Sequence, residues 1–135
     1  MSSERRKRIA RHVLVGVMVT MGVLHFVADE VFVQIVPKFL PAPYWLVWIS
    51  GVFEMALGLA LLPEKTRRLA GYGLVALFIA VFPANIYMAV AHVQLHGVPP
   101  WMAHPSPLAL WLRLPFQIAF IVWALWVSAP NRTGS

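Results

Sequence analysis

The chain has 135 residues, 60% of them hydrophobic and 12% charged, with a formal charge of +6. Eleven basic and five acidic residues cannot cover the surface of a water-soluble domain of this length, so the composition excludes a soluble globule and names a lipid bilayer as the solvent. Cysteine is absent, which removes disulfide exchange, thiolate catalysis and cysteine-ligated clusters.

The basic residues fall in blocks beside apolar runs. Arg5, Arg6, Lys7, Arg8 and Arg11 precede the first run, Lys65, Arg67 and Arg68 separate the second from the third, and Arg132 follows the last. Such blocks suit anionic lipid headgroups and lack the interleaved readout residues of a nucleic-acid surface, so no nucleic-acid partner is expected.

In chain order, residues 1–12 read as a basic cytoplasmic N-terminus, 13–127 as a membrane domain and 128–135 as a cytoplasmic tail. Four stretches approach the roughly 20 apolar residues a membrane helix needs: Ile9–Ala28, Trp45–Leu62, Leu69–Val93 and Leu108–Val127. Phe26 and Ala28 do not make a small-x-small cleavage site, so the first run is expected to stay as a span rather than leave as a signal peptide. The separators "PKFLPAP" (37–43), "PEKTRR" (63–68) and "HGVPPWMAHPSP" (96–107) carry turn signals. The expected fold is all-α, a four-helix transmembrane bundle. Lys and Arg concentrate at the N-terminus, the 63–68 turn and the tail, whereas the other two connections hold only Lys38. That bias predicts both termini on the cytoplasmic side of a bacterial inner (plasma) membrane, with Trp45, Trp48, Trp101 and Trp111 at the outer interface. The interrupted segments "VFVQIVPKFLPAP" (31–43) and 94–107 then read as flaps over the outer mouth.

Polar groups inside lipid are expensive and face protein or water. His25, Glu54, Asn85, His92, Arg113 and Gln117 are the candidate ligand-binding or polar-cluster residues. At about 1.5 Å of rise per residue, Glu54, Asn85 and Arg113 lie roughly 13, 12 and 8 Å below the outer ends of their spans. Phase agrees: Asn85, Met88, Ala89 and His92 share one helical face; Met18, Gly22, His25 and Asp29 another; Ser50, Gly51, Glu54 and Gly58 a third; Arg113 and Gln117 are four apart. Pro83 cannot donate to the Ile79 carbonyl, which predicts a kink with Asn85 as the nearby amide. Two readings stay open: Glu54 and Arg113 form a structural ion pair that fixes helix register, or the cluster lines a pocket for a small polar or quinone-like headgroup. His92 and His96 are four apart, but Gly97 and two prolines follow and no carboxylate lies in the loop, so no metal site is expected. No nucleophile with its base and no dinucleotide fingerprint is present, so no catalytic residue is assigned.

The segments "GVLHF" (22–26), "IVPKFLPAP" (35–43), "WISGVFEMALGLALLPEKTRRLAGYGL" (48–74), "FPANIYMA" (82–89) and "LRLPFQ" (112–117) resemble the DoxX family of small four-helix membrane proteins. The resemblance runs from about Gly22 to Trp126, and its most specific part is SG-x-x-E followed by LLP-x-x-TRR and PAN. One departure is Asp29, at a place where similar sequences often carry proline. The resemblance implies an accessory or assembly protein of the membrane, since the family is linked to thiosulfate:quinone oxidoreduction, methylamine-utilisation assembly, redox-stress complexes and receptor chaperoning. The family residues that carry over are His25, Glu54, Pro83, Asn85, Arg113 and Gln117. It resembles quinone-reducing disulfide enzymes in shape, but the chain lacks their cysteines. The expectation is therefore a protein with no catalysis of its own, a quinone or a lipid as its ligand, and a redox or envelope protein or a second copy as its partner. The alternatives are a membrane subunit of a quinone-linked oxidoreductase and a dimeric small-solute transporter.

Overall fold

The computed structural model describes residues 2–91 and 93–130; His92 and residues 131–135, Arg132 among them, lie outside the described residues. The described residues form helices α1 (Ser3–Val27), α2 (Asp29–Val33), α3 (Pro43–Ala60), α4 (Glu64–Val90), α5 (Pro100–Ala103) and α6 (Pro107–Ser128). Four of them, α1, α3, α4 and α6, are long and apolar enough to cross a membrane.

Local chemistry sets the helix starts. Ser2 Oγ accepts from the Arg5 amide at 3.2 Å, and Ser106 Oγ accepts from Ala109 at 3.2 Å. Pro43 and Pro107 occupy first-turn positions, where a missing N–H costs nothing. The helix start at Ser3 corrects the expected one at Ile9. Arg and Lys are good helix formers, so the basic run continues the helix instead of preceding it. α4 runs unbroken past Pro83, and α6 past Pro115.

Two extensive interfaces, α1 with α3 and α4 with α6, build the bundle; smaller ones join α3 to α4 and α1 to α6. The diagonal pairs, α1 with α4 and α3 with α6, have no backbone approach. The main core lies toward the end where the basic residues sit, with Leu14, Val15 and Met18 of α1 against Leu61, Ala70, Leu74, Phe78, Ala124 and Val127. A smaller cluster, Met88, Ala89, Leu95 and Leu110 with Ile35 beside it, closes the opposite, tryptophan-bearing end. Polar side chains occupy the level between the two clusters.

At the tryptophan end the two connecting segments dock on each other. Gln34 donates through Nε2 to the His96 carbonyl at 2.9 Å and accepts from the His96 amide through Oε1 at 2.7 Å. Asp29 ties the first connection to α3, because its Oδ2 accepts from Trp48 Nε1 at 3.0 Å and its Oδ1 from the Glu30 amide. The Asp29 carboxylate therefore acts as an anchor.

Candidate functional site

The first polar pair lies between α1 and α3. Gly22 and Gly51 face each other there: a Cβ on Gly51 would sit 2.9 Å from the Gly22 carbonyl oxygen and 2.8 Å from His25 Cβ. A Cβ on Gly22 would overlap Met55 Cγ and lie 2.7 Å from the Gly51 carbonyl oxygen. Only hydrogen fits at both positions, so the backbones approach closely, the small-residue packing that membrane helices favour. One turn further, the approach places His25 Nδ1 3.1 Å from Glu54 Oε2.

Both side chains are buried, each residue 9% exposed. His25 Nδ1 also lies 2.6 Å from the Met21 carbonyl oxygen, one helical turn back. A carbonyl only accepts, so Nδ1 carries the proton and spends it on Met21. Glu54 Oε2 is then left beside the ring with no hydrogen bond among the described residues, in a position where such a group usually has one. Phe32 of α2 stacks on the imidazole at 4.1 Å between centroids and 20° between planes, so α2 lies over this site.

The second pair lies between α4 and α6 and is closed. Gln117, 6% exposed, donates through Nε2 to the Phe78 carbonyl and accepts from Asn85 Nδ2 through Oε1. Asn85 was expected as an amide near the Ile79 carbonyl that Pro83 frees and as a member of the polar cluster. Its partner is Gln117, which in turn donates to the Phe78 carbonyl, so both polar ends of the glutamine are used.

The expected Glu54–Arg113 ion pair does not form. Arg113 is exposed and has no ion pair among the described residues. The cause is helix order: α6 packs on α4 and stands diagonal to α3. The sequence-derived cluster is thus split in two, His25 with Glu54 and Asn85 with Gln117, with Arg113 in neither and His92 outside the described residues.

The sequence reading took Lys7 and Arg11 for lipid-facing anchors. Each is only 7% exposed, and they donate to the carbonyls of Ala129 (2.6 Å) and Val127 (3.0 Å) at the end of α6. A signal for this exists: Lys7, Arg11, Leu14 and Met18 fall on one helical stripe, the buried face of α1.

No curated protein and no solved structure matches the chain. A family described as "Domain of unknown function (DUF8561)" matches residues 14–128, from the first core leucine of α1 to the last residue of α6. That range takes in α1 from Leu14 onward, the whole of α3, α4 and α6, and both polar pairs, so the chain belongs to the DUF8561 family.

Proposed function

We propose that this protein is a DoxX-like accessory or assembly component of a bacterial inner membrane, both termini cytoplasmic, whose α1–α3 polar site holds a small quinone-like ligand or steadies a partner. The observation that carries the reading is Glu54 Oε2, a buried carboxylate oxygen without a hydrogen-bond partner among the described residues. A ligand hydroxyl, such as that of a quinol, supplies the donor this oxygen lacks, and Phe32 stacked on His25 offers a flat aromatic wall beside it. The Lys and Arg bias of the connections supports the orientation, and the motifs around Gly22, Glu54 and Pro83 support the family resemblance.

The test is extraction and mass spectrometry of small molecules that co-purify with the wild type and with Glu54→Gln, followed by titration with a short-chain ubiquinol. Occupancy in the wild type and loss in the variant supports the site. Equal occupancy in both removes Glu54 from that role.

A second reading, a proton-handling subunit of a quinone-linked oxidoreductase, is favoured by His25 Nδ1 lying within reach of both the Met21 carbonyl and Glu54. A turn of the imidazole that redirects Nδ1–H from the Met21 carbonyl to the Glu54 carboxylate would couple the site to protonation. It predicts pH-dependent quinone reduction that needs a redox partner protein. Reconstitution with such partners that yields no quinone reduction at any pH ends that reading.

A further inference from the structure

The basic end of the bundle carries more positive charge than the described residues compensate. Lys7 and Arg11 converge there with Arg67 and Arg68, close enough for the four to interact electrostatically. Arg67 donates to the carbonyls of Leu61 (2.9 Å) and Leu62 (2.7 Å) just past α3, as Lys7 and Arg11 do at the end of α6. Each helix C-terminus presents about half a negative charge, so two supply about one against four cations. Glu4 and Glu64 are in electrostatic range, but both are exposed and neither makes an ion pair among the described residues. No Lys or Arg among the described residues has a carboxylate within ion-pair distance. Cations withdrawn from water in this way call for an anion.

The surroundings say which kind. Arg68 makes no hydrogen bond among the described residues; its guanidinium rests 4.5 Å from the centroid of the half-exposed Tyr72 ring, and its neighbour Leu69 is 75% exposed. Cations and an open apolar surface thus adjoin on the same turn of α4. We propose that this end of the bundle binds the phosphate headgroup of an anionic phospholipid through the half-buried Arg67 and Arg68, with the buried Lys7 and Arg11 adding positive charge behind them and the acyl chains lying along α4 beside Leu69. A soluble phosphate would use the cations and leave the apolar flank unused. This assignment is independent of the α1–α3 site.

Native mass spectrometry of the full chain in detergent, titrated separately with phosphatidylglycerol, phosphatidylcholine and inorganic phosphate, tests it. Phosphatidylglycerol is expected to bind in preference to phosphatidylcholine. Arg68→Gln, which breaks no hydrogen bond of the fold, is expected to weaken phosphatidylglycerol about fivefold, the effect of roughly one basic contact at a membrane surface. The paired change Arg5→Gln with Arg6→Gln, on the exposed start of α1, is expected to weaken it less than about twofold. Lys7→Gln with Arg11→Gln should weaken it further, with thermal unfolding followed in parallel because both cap α6. An equal loss in the Arg5/Arg6 control and in Arg68→Gln would show diffuse attraction and overturn the site. Equal binding of phosphatidylcholine, or inorganic phosphate binding as tightly as phosphatidylglycerol, would overturn the lipid assignment.

Discussion

The two polar pairs lie at a similar level of one bundle and are finished differently. Between α4 and α6, one glutamine uses its amide nitrogen and its carbonyl oxygen at once, so each polar atom has a partner. Between α1 and α3, His25 gives its Nδ1 proton to its own helix and leaves a carboxylate oxygen unanswered. A satisfied buried network fastens helices together, whereas an unsatisfied buried group costs stability and persists where something else uses it. The contrast separates a structural pin from a candidate site, although residues of both kinds looked alike in the sequence.

The comparison breaks most severely at the glycine crossing. Gly51→Leu must push α1 away from α3 and part His25 from Glu54, at a cost of about 3 kcal/mol. Equilibrium unfolding by SDS in mixed micelles measures this. Gly16→Leu, where a Cβ meets nothing within 4 Å, serves as the neutral control. Gln117→Leu comes next: it removes the link to the Phe78 carbonyl and leaves the Asn85 amide without its acceptor, and should lower stability by about 2 kcal/mol in the same assay while leaving ligand co-purification at Glu54 intact.

Glu54→Gln should do the reverse. Replacing a buried ionisable group by its neutral isostere is expected to be neutral or stabilising, by up to about 1 kcal/mol, while the ligand is lost. If instead it destabilised as much as Gln117→Leu, the two pairs would be the same kind of object. Arg113→Gln should have the smallest effect, within about 0.5 kcal/mol and with unchanged ligand binding, because this side chain is exposed and has no ion pair among the described residues. A large effect on either readout would restore Arg113 to the site.

Much of this could be read in the chain beforehand. Helical phase put Gly51, Glu54 and Gly58 on one face and Met18, Gly22 and His25 on another, and these faces are the ones that meet. Depth counting put the polar residues at a common level. Neighbour choice was not legible, since rise and phase fix where a residue sits on its own helix and say nothing of which helix stands opposite. Arg113 and Gln117 are four apart and seemed equivalent for that reason. The straight stripe Leu110, Gln117, Ala124, spaced by seven, is the buried one and would have favoured the glutamine. The unanswered oxygen of Glu54 was beyond sequence reasoning, because it depends on how His25 spends a single proton.

The ties between the helix pairs are unequal at the two ends of the molecule. At the basic end, Lys7, Arg11 and Trp123 stitch α1 to α6, while Arg67 and Thr66 bind the α3–α4 turn. At the other end, the connecting segments are tied by the Gln34–His96 exchange, set over a small apolar cluster. The mechanics are those of a clothes-peg, sprung at its base, with jaws that part where the fastening is slightest. Any excursion that widens the seam must therefore begin beside His96 and travel inward, reaching the level of Glu54 before it disturbs the leucine-rich base.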